Sequence, residues 1–225
     1  MNRKVRLYLH ENEYKRKNYI FSIMNDRVLE IKSVQVSPIR NMITALKDVL
    51  TDATITFTKH HMKIINFDKT HTILVNVLLH ENKFESYRCD PDKIVVCANT
   101  LHLFKVISTM SNDDTLSIYI DKSDYHDGVV SHLGLQYENG NIKQYYNQKL
   151  RLIEPDTEEL VIPDVEYSTV INIPTTDFQK IVRDMNGISD RIEIKSVGND
   201  LIFSCEGNFA SSRIFRTKGM GIWNL

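Results

Sequence analysis

The chain has 225 residues, 42% of them hydrophobic and 25% charged, with a formal net charge of −1. That composition suits a globular protein of one large or two smaller domains. It gives no bulk affinity for nucleic acid, so any such binding must come from where the charges sit. Cys89, Cys97 and Cys205 are far apart with no CxxC spacing, which excludes a disulfide framework or a zinc site and suits buried thiols in a reducing compartment. No apolar run reaches transmembrane length, and residues 1–27 lack the apolar stretch of a secretory signal.

Residues 1–27 carry Arg3, Lys4, Arg6, Lys15, Arg16, Lys17 and Arg27, and read as a basic extension ahead of the core domain. Such an arm either solvates itself or touches DNA or a partner. From Val28 the pattern is dense in strands. Val28–Val36 alternates, and Thr54–Thr58, Met62–Phe67, Thr72–Leu79, Lys93–Ala98, Thr115–Asp121, Ser131–Glu138 and Lys149–Ile153 are short and rich in β-branched or aromatic residues. Asn139-Gly140 and Gly198-Asn199 are turn signals.

Three segments have helical period. In Ser37–Leu50, Ser37 is an N-cap residue, Pro38 takes the first helical position, and Ile39, Met42, Ile43, Leu46 and Val49 form the apolar stripe. Thr100–Met110 points Leu101, Phe104 and Ile107 inward; Thr176–Gly187 does so with Phe178, Ile181, Val182 and Met185. All three are short and amphipathic, as helices lying on a sheet are.

The order strand, helix, strand, turn, strand occurs twice. Ala45-Leu46-Lys47-Asp48, Ile55-Thr56-Phe57 and Ile64 to Phe67 resemble Val182-Arg183-Asp184, Ile192-Glu193-Ile194 and Leu201-Ile202-Phe203. An α+β unit is thus used twice. The first copy runs from about Val28 to Ile153, with residues 154–167 as a connecting linker. The second, residues 168–225, has fewer than half as many residues, so it reads as incomplete, with sheet edges for another chain to cover.

The outward faces of these helices carry Arg40, Asn41, Thr44, Lys47 and Asp48, then His102, Lys105 and Thr109, then Lys180 and Arg183. Cations on a sheet-backed surface suit a phosphate backbone, which is read by charge and not by sequence. The plainer reading is a solvated face. No helix here has the pattern of a base-reading helix-turn-helix.

Five segments, in order, resemble the proliferating cell nuclear antigen (PCNA) family of sliding clamps. They are ALKDVLTDATITFT (Ala45–Thr58), FDKTHTILVNVLL (Phe67–Leu79), FESYRCD (Phe84–Asp90), LVIPDVEYS (Leu160–Ser168) and FQKIVRDM (Phe178–Met185). The resemblance implies an α+β clamp fold, two similar domains of curved antiparallel sheets with helices lining the inner face. It implies a homotrimeric ring around double-stranded DNA, with no enzyme activity and no cofactor. The ring would tether DNA polymerase and other replication or repair factors, be placed on DNA by a clamp loader, and work in the nucleus or a viral replication factory. Arg40, Lys47, Lys105, Lys180 and Arg183 match channel-facing positions; Asn41 and Ser108 stand where the family often has lysine. Phe67, His71, Thr72, Leu74, Leu160, Ile162, Pro163 and Tyr167 match the pocket that receives the PIP box. That motif is a short partner segment whose 3₁₀ turn carries aliphatic and aromatic plugs. Alternatively, these residues are simply core under a linker. Asn208, Phe209, Ala210, Ser211, Ser212, Arg213 and Ile214 match the subunit-interface strand, whose partner strand falls near Gln148–Ile153. The N-terminal arm and the departures within motifs point to a divergent member, of the kind a large DNA virus or a protist carries.

Two further readings stand beside this one. A truncated adaptor or checkpoint-clamp-type subunit would bind partners without closing a ring. An enzyme would draw on His60, His61, His71, His126, His132, Asp124 and Asp127, but no HExxH, GxxxxGK[ST] or GxSxG motif supports it.

Overall fold

The computed structural model describes residues 26–139, 144–155, 166, 170–198 and 200–217. The arm before Asp26, Gly140, Asn199, the linker residues Leu160, Ile162, Pro163 and Tyr167, and the tail from residue 218 lie outside the described residues. The chain divides into two compact units, Met1–Val161 and Ile162–Leu225. No helix among the described residues is long and apolar enough to cross a membrane.

The first unit runs β1 (Arg27–Ser33), α1 (Ser37–Val49), β2 (Asp52–Thr58), β3 (His61–Phe67), β4 (Leu74–His80), β5 (Ser86–Cys89), β6 (Lys93–Asn99), α2 (Thr100–Ile107), β7 (Thr115–Asp121), β8 (Tyr125–His126), β9 (Val129–Val130), β10 (His132–Asn139) and β11 (Gln144–Arg151). One antiparallel sheet is ordered β11-β10-β7-β1-β5 and the other β4-β3-β2-β6, with β8 and β9 as a small ribbon. Alternation explains the strands. In β2, Ala53, Ile55 and Phe57 are buried and the intervening threonines face the other way. Both sheets and both helices feed one core. After β11, Ile153 bridges to Cys97 of β6, with the Ile153 amide donating to the Cys97 carbonyl at 2.9 Å, so the edge strands of the two sheets are tied together. Cys89, Cys97 and Cys205 are all buried and form no disulfide.

Several boundaries depart from the sequence expectation. β1 stops at Ser33, because the Ser33 hydroxyl turns back to the Gln35 carbonyl and the Val36 amide donates to Asp114 O. Ser37 does not cap α1: Val36 holds the N-cap place and no side chain bonds there, while Pro38 sits in the first turn as expected. In α2 the buried row is Thr100, Leu103 and Ile107, continued by Met110, so Leu101 lies outside it and is 48% exposed. The helix begins at Thr100 as expected, with the Asn99 side chain capping it by accepting the His102 amide.

Arg27, read in sequence as a cation of the arm, opens β1 and is 2% exposed. Its guanidinium lies over the Tyr119 ring at 3.8 Å and donates to Glu30 at 2.6 Å and Gln136 at 2.7 Å. Tyr119 alternates with the core residues Ile118 and Ile120, so it occupies the opposite face of the sheet. Its register partner on β10 is Gly134, and a Cβ there would run into the Tyr119 ring.

The second unit comprises α3 (Thr175–Asn186), β12 (Glu193–Val197), β13 (Asp200–Glu206) and β14 (Ser211–Thr217), with sheet order β12-β13-β14. Gly198 turns the β12–β13 hairpin at φ 58°, in the left-handed region open to glycine. Its core is small: Ile181, Met185, Leu201, Phe203 and Cys205. The repeat order places a strand ahead of this helix, and residues 170–174 form none. In the first unit β1 is held between β5 and β7, and no such neighbours occur among the described residues here. Phe178 and Val182, expected inward, are 41% and 36% exposed for the same reason: this sheet covers only the Ile181–Met185 row. An apolar cavity of about 350 Å³ opens between α3 and the sheet, lined by Ile171, Ile173, Phe178, Ile194, Leu201 and Phe203.

Replacing Gly134 by alanine is expected to cost about 1–3 kcal/mol through overpacking against Tyr119. Urea unfolding of the variant beside wild type measures it.

Candidate functional site

Arg40 and Lys47 do not project freely from α1, as a simple helical wheel suggests. Both are half-buried on the flank that faces α2 and the loop after it. The Arg40 guanidinium donates to Asn112 at 2.6 Å. The Lys47 ammonium lies 4.9 Å from the centre of the Phe104 ring and 2.5 Å from the Asp48 carboxylate. A cation over an aromatic face contributes about 0.5–1 kcal/mol at such sites. Between them, the Thr44 hydroxyl donates to the Arg40 carbonyl at 2.7 Å. Asn41 and Asp48 are exposed, as are Pro38 and Ala45. The seam of α1 and α2 therefore fixes two cations in place, and Lys105 stands exposed on α2 next to Phe104 in sequence.

On α3, Lys180 and Arg183 are exposed and no side-chain ion pair engages either among the described residues. Arg216 reaches across from β14 to Asp177 in the first turn of this helix, at 2.9 Å. That pair joins helix and strand and leaves Lys180 and Arg183 to solvent.

The interface candidates divide between a turn and a strand. Asn208, Phe209 and Ala210 form the turn, closed by the Gly207 amide donating to the Ala210 carbonyl at 2.9 Å. Ser211, Ser212, Arg213 and Ile214 open β14, which pairs only with β13 among the described residues. Phe209 is 78% exposed and Phe215 59%. In the first unit β11 is likewise an outer strand, paired with β10. β11 and β14 are thus both outer strands, whose open backbone groups are the chemistry that another strand completes.

The loop from Phe67 to Leu74 has a shape that the apolar pattern does not foretell. Strand β4 begins at Leu74, two residues later than expected, because Asp68 folds residues 68–73 into a closed loop. His71 takes φ 55°, a left-handed conformation that costs a non-glycine residue about 1–2 kcal/mol. Its ring stacks on Phe67 at 5.4 Å between centres. Phe67, Thr72 and His71 are exposed and Leu74 is half-buried. Ile73, absent from the expected set, is 50% exposed beside them. Asp68 was also legible in principle, since Asp-x-Thr-x-Thr is the signature of a side chain bonding to backbone ahead of it.

Residues 28–159 match the family model of the proliferating cell nuclear antigen N-terminal domain, and residues 161–220 that of the C-terminal domain. Together the two matches span most of the chain.

The chain belongs to the PCNA family of DNA sliding clamps.

Its architecture fits: sheet-rich antiparallel units carrying short helices. PCNA-family proteins are non-enzymatic clamps of DNA replication that bind DNA and replication factors and raise processivity.

Of the histidine and aspartate residues weighed as an enzyme centre, only Asp124 and His132 pair with each other, while His60 lies near Glu81, His61 near Thr58 and His71 on Phe67. Lys149 bonds both Asp121 at 2.8 Å and Asp124 at 2.6 Å. His132 Nδ1 faces both Asp124 and the Ser131 hydroxyl, so the three do not form a relay through two ring nitrogens. His126 instead turns to the Ser123 carbonyl at 2.9 Å. No group of three His, Cys, Asp or Glu side chains among the described residues is arranged to hold a metal.

Burial works to raise the Asp124 carboxyl pKa, but bonds from Lys149 and Ser131 outweigh it and hold it below the ordinary value of 3.8. A depressed carboxyl contributes stability above its unfolded pKa and loses it as pH falls through the folded one. Asp124→Asn is therefore expected to destabilise the protein at pH 7, by about 1 kcal/mol after allowance for solvent screening. The gap to wild type should shrink below about pH 4. Urea midpoints of both proteins across that range test this.

Proposed function

We propose that this chain is a subunit of a ring-shaped clamp that encircles duplex DNA and tethers a DNA polymerase and other PIP-box proteins to it. The observation that carries the proposal is the succession of two PCNA-domain matches in one chain. In each unit, short helices on a sheet carry cations. Arg40, Lys47 and Lys105 in the first unit, and Lys180 and Arg183 in the second, are the proposed phosphate contacts. Such contacts position DNA without reading its sequence, as a protein that slides requires.

Ring closure is proposed to join β14 of one subunit, with Asn208–Ala210 ahead of it, to β11 of the next, in a homotrimer. Phe67, His71, Thr72 and Leu74, with Leu160, Ile162, Pro163 and Tyr167 of the linker, are the proposed PIP-box pocket, and Ile73 is added to them. A buried aliphatic plug there would contribute roughly 1.5–3 kcal/mol. A clamp loader and a nuclear or viral-factory setting complete the proposal. A second reading, an adaptor that binds partners without closing, draws on the open apolar cavity beside α3.

Two measurements separate the readings. Light scattering after size exclusion should give a trimer. Protein placed on nicked circular DNA should be retained and then released when the circle is cut; release without cutting favours the adaptor. In the clamp, Lys105→Glu, Lys180→Glu and Arg183→Glu together should weaken retention at least tenfold, an order-of-magnitude expectation, and lower the salt slope by about three. All three side chains are exposed, so the melting temperature should stay close to that of wild type.

A further inference from the structure

The loop at residues 68–73 is built around one side chain. Asp68 Oδ1 accepts the backbone amides of Thr72 and Ile73, each at 2.7 Å. Its Oδ2 accepts the Thr70 amide at 3.2 Å, together with the Thr70 hydroxyl. The Thr72 hydroxyl adds a longer bond at 3.4 Å and touches the Thr70 hydroxyl at 2.7 Å. Two backbone bonds close the loop beneath: His71 N to Asp68 O, and Asp68 N to Ile73 O, both 3.0 Å. Residues 69–73 are all exposed, so core packing does not set their shape. Yet His71 is held in a left-handed conformation with its ring on Phe67. A strained backbone at an exposed position persists only where its surroundings over-determine it, and here the surroundings are the Asp68 carboxylate.

We propose that Asp68 is the positioning residue of the partner pocket: its carboxylate sets the loop at residues 68–73, with His71 stacked on Phe67, in the shape that receives a PIP-box plug before the peptide arrives. This rests on the reading of Phe67, His71, Thr72 and Leu74 as pocket wall. Preorganisation raises affinity by removing an ordering cost at the moment of binding. The Thr70 hydroxyl foremost, and then the Ile73 amide, hold the Asp68 carboxyl well below the usual carboxylate range. Asparagine at this position keeps the size but replaces one acceptor oxygen by a donor. It therefore cannot serve both the Thr72–Ile73 amides and the Thr70 pair.

The test uses the full chain as wild type, Asp68→Asn, Asp68→Ala and Leu74→Ser, with a fluorescein-labelled PIP-box peptide. Three quantities are read: peptide Kd, amide exchange of Thr72 and Ile73, and the ring-proton shifts of His71, which the Phe67 ring current displaces. Both Asp68 variants should speed exchange and return the His71 signals toward those of an unstacked ring. They should weaken the peptide by about tenfold, the order expected for losing charge-assisted bonds. The melting temperature guards against a general loss of stability, which would not move the His71 signals well below the transition. If Leu74→Ser loses the peptide but Asp68→Asn binds it as wild type does, the proposal is overturned and the pocket stands. If neither the exchange rates nor the His71 signals change, it is likewise overturned. If wild type binds no such peptide, the pocket reading fails and takes the proposal with it.

Discussion

A helix of 13 residues is marginal in water by itself, so α1 exists because Ile39, Ile43 and Leu46 are buried against the rest of the unit. Each contributes about 1.5–3 kcal/mol, more than the intrinsic preference of the segment supplies. The same requirement holds for α2 and α3. Once one side of such a helix is committed to a core, its polar side chains are confined to the remaining flank and outer surface. Placing cations on a sheet-backed surface is thus a by-product of burying the stripe. Arg40, Lys47, Lys105, Lys180 and Arg183 owe their positions to Ile43, Leu46, Leu103, Ile107, Ile181 and Met185.

How firmly a cation is held depends on what packs next to its helix. Lys47 is fixed by Phe104 and Asp48, and Arg40 by Asn112, because α2 and its following loop press on that flank of α1. α3 has only a three-stranded sheet behind it, and Lys180 and Arg183 stand in solvent. The two units therefore present charge differently: pre-set at the α1–α2 seam, adaptable on α3.

The two copies of the repeat differ in how completely their apolar positions are covered. Leu46 is 5% exposed and its counterpart Val182 is 36% exposed; Phe57 is fully buried and its counterpart Ile194 is 50% exposed. In the first unit a second sheet supplies the cover. Apolar side chains left open around a cavity are surfaces that favour association, as are the outer strands β11 and β14.

Period and motif in the sequence were enough to set the α+β class, the three helices, most strands within a residue or two, and the family. Those signals are local: alternation in β2, the stripe of α1, and FESYRCD all declare themselves over a few residues. Tertiary structure decided what depends on a neighbour distant in sequence. Arg27 leaves the arm for Tyr119 because Gly134 makes room there. Leu101 and Phe178 turn out because only part of each apolar stripe meets a partner. Lys149, distant in sequence, bonds Asp121 and Asp124, so the one carboxylate of that pair which the sequence offered to an enzyme centre is held in an ion pair. Asp68 lies between these cases, its turn chemistry written locally but its consequence, a histidine stacked on a phenylalanine, visible only in three dimensions. Propensity and period act along the chain, whereas burial and pairing are properties of surfaces that meet only when the chain has folded.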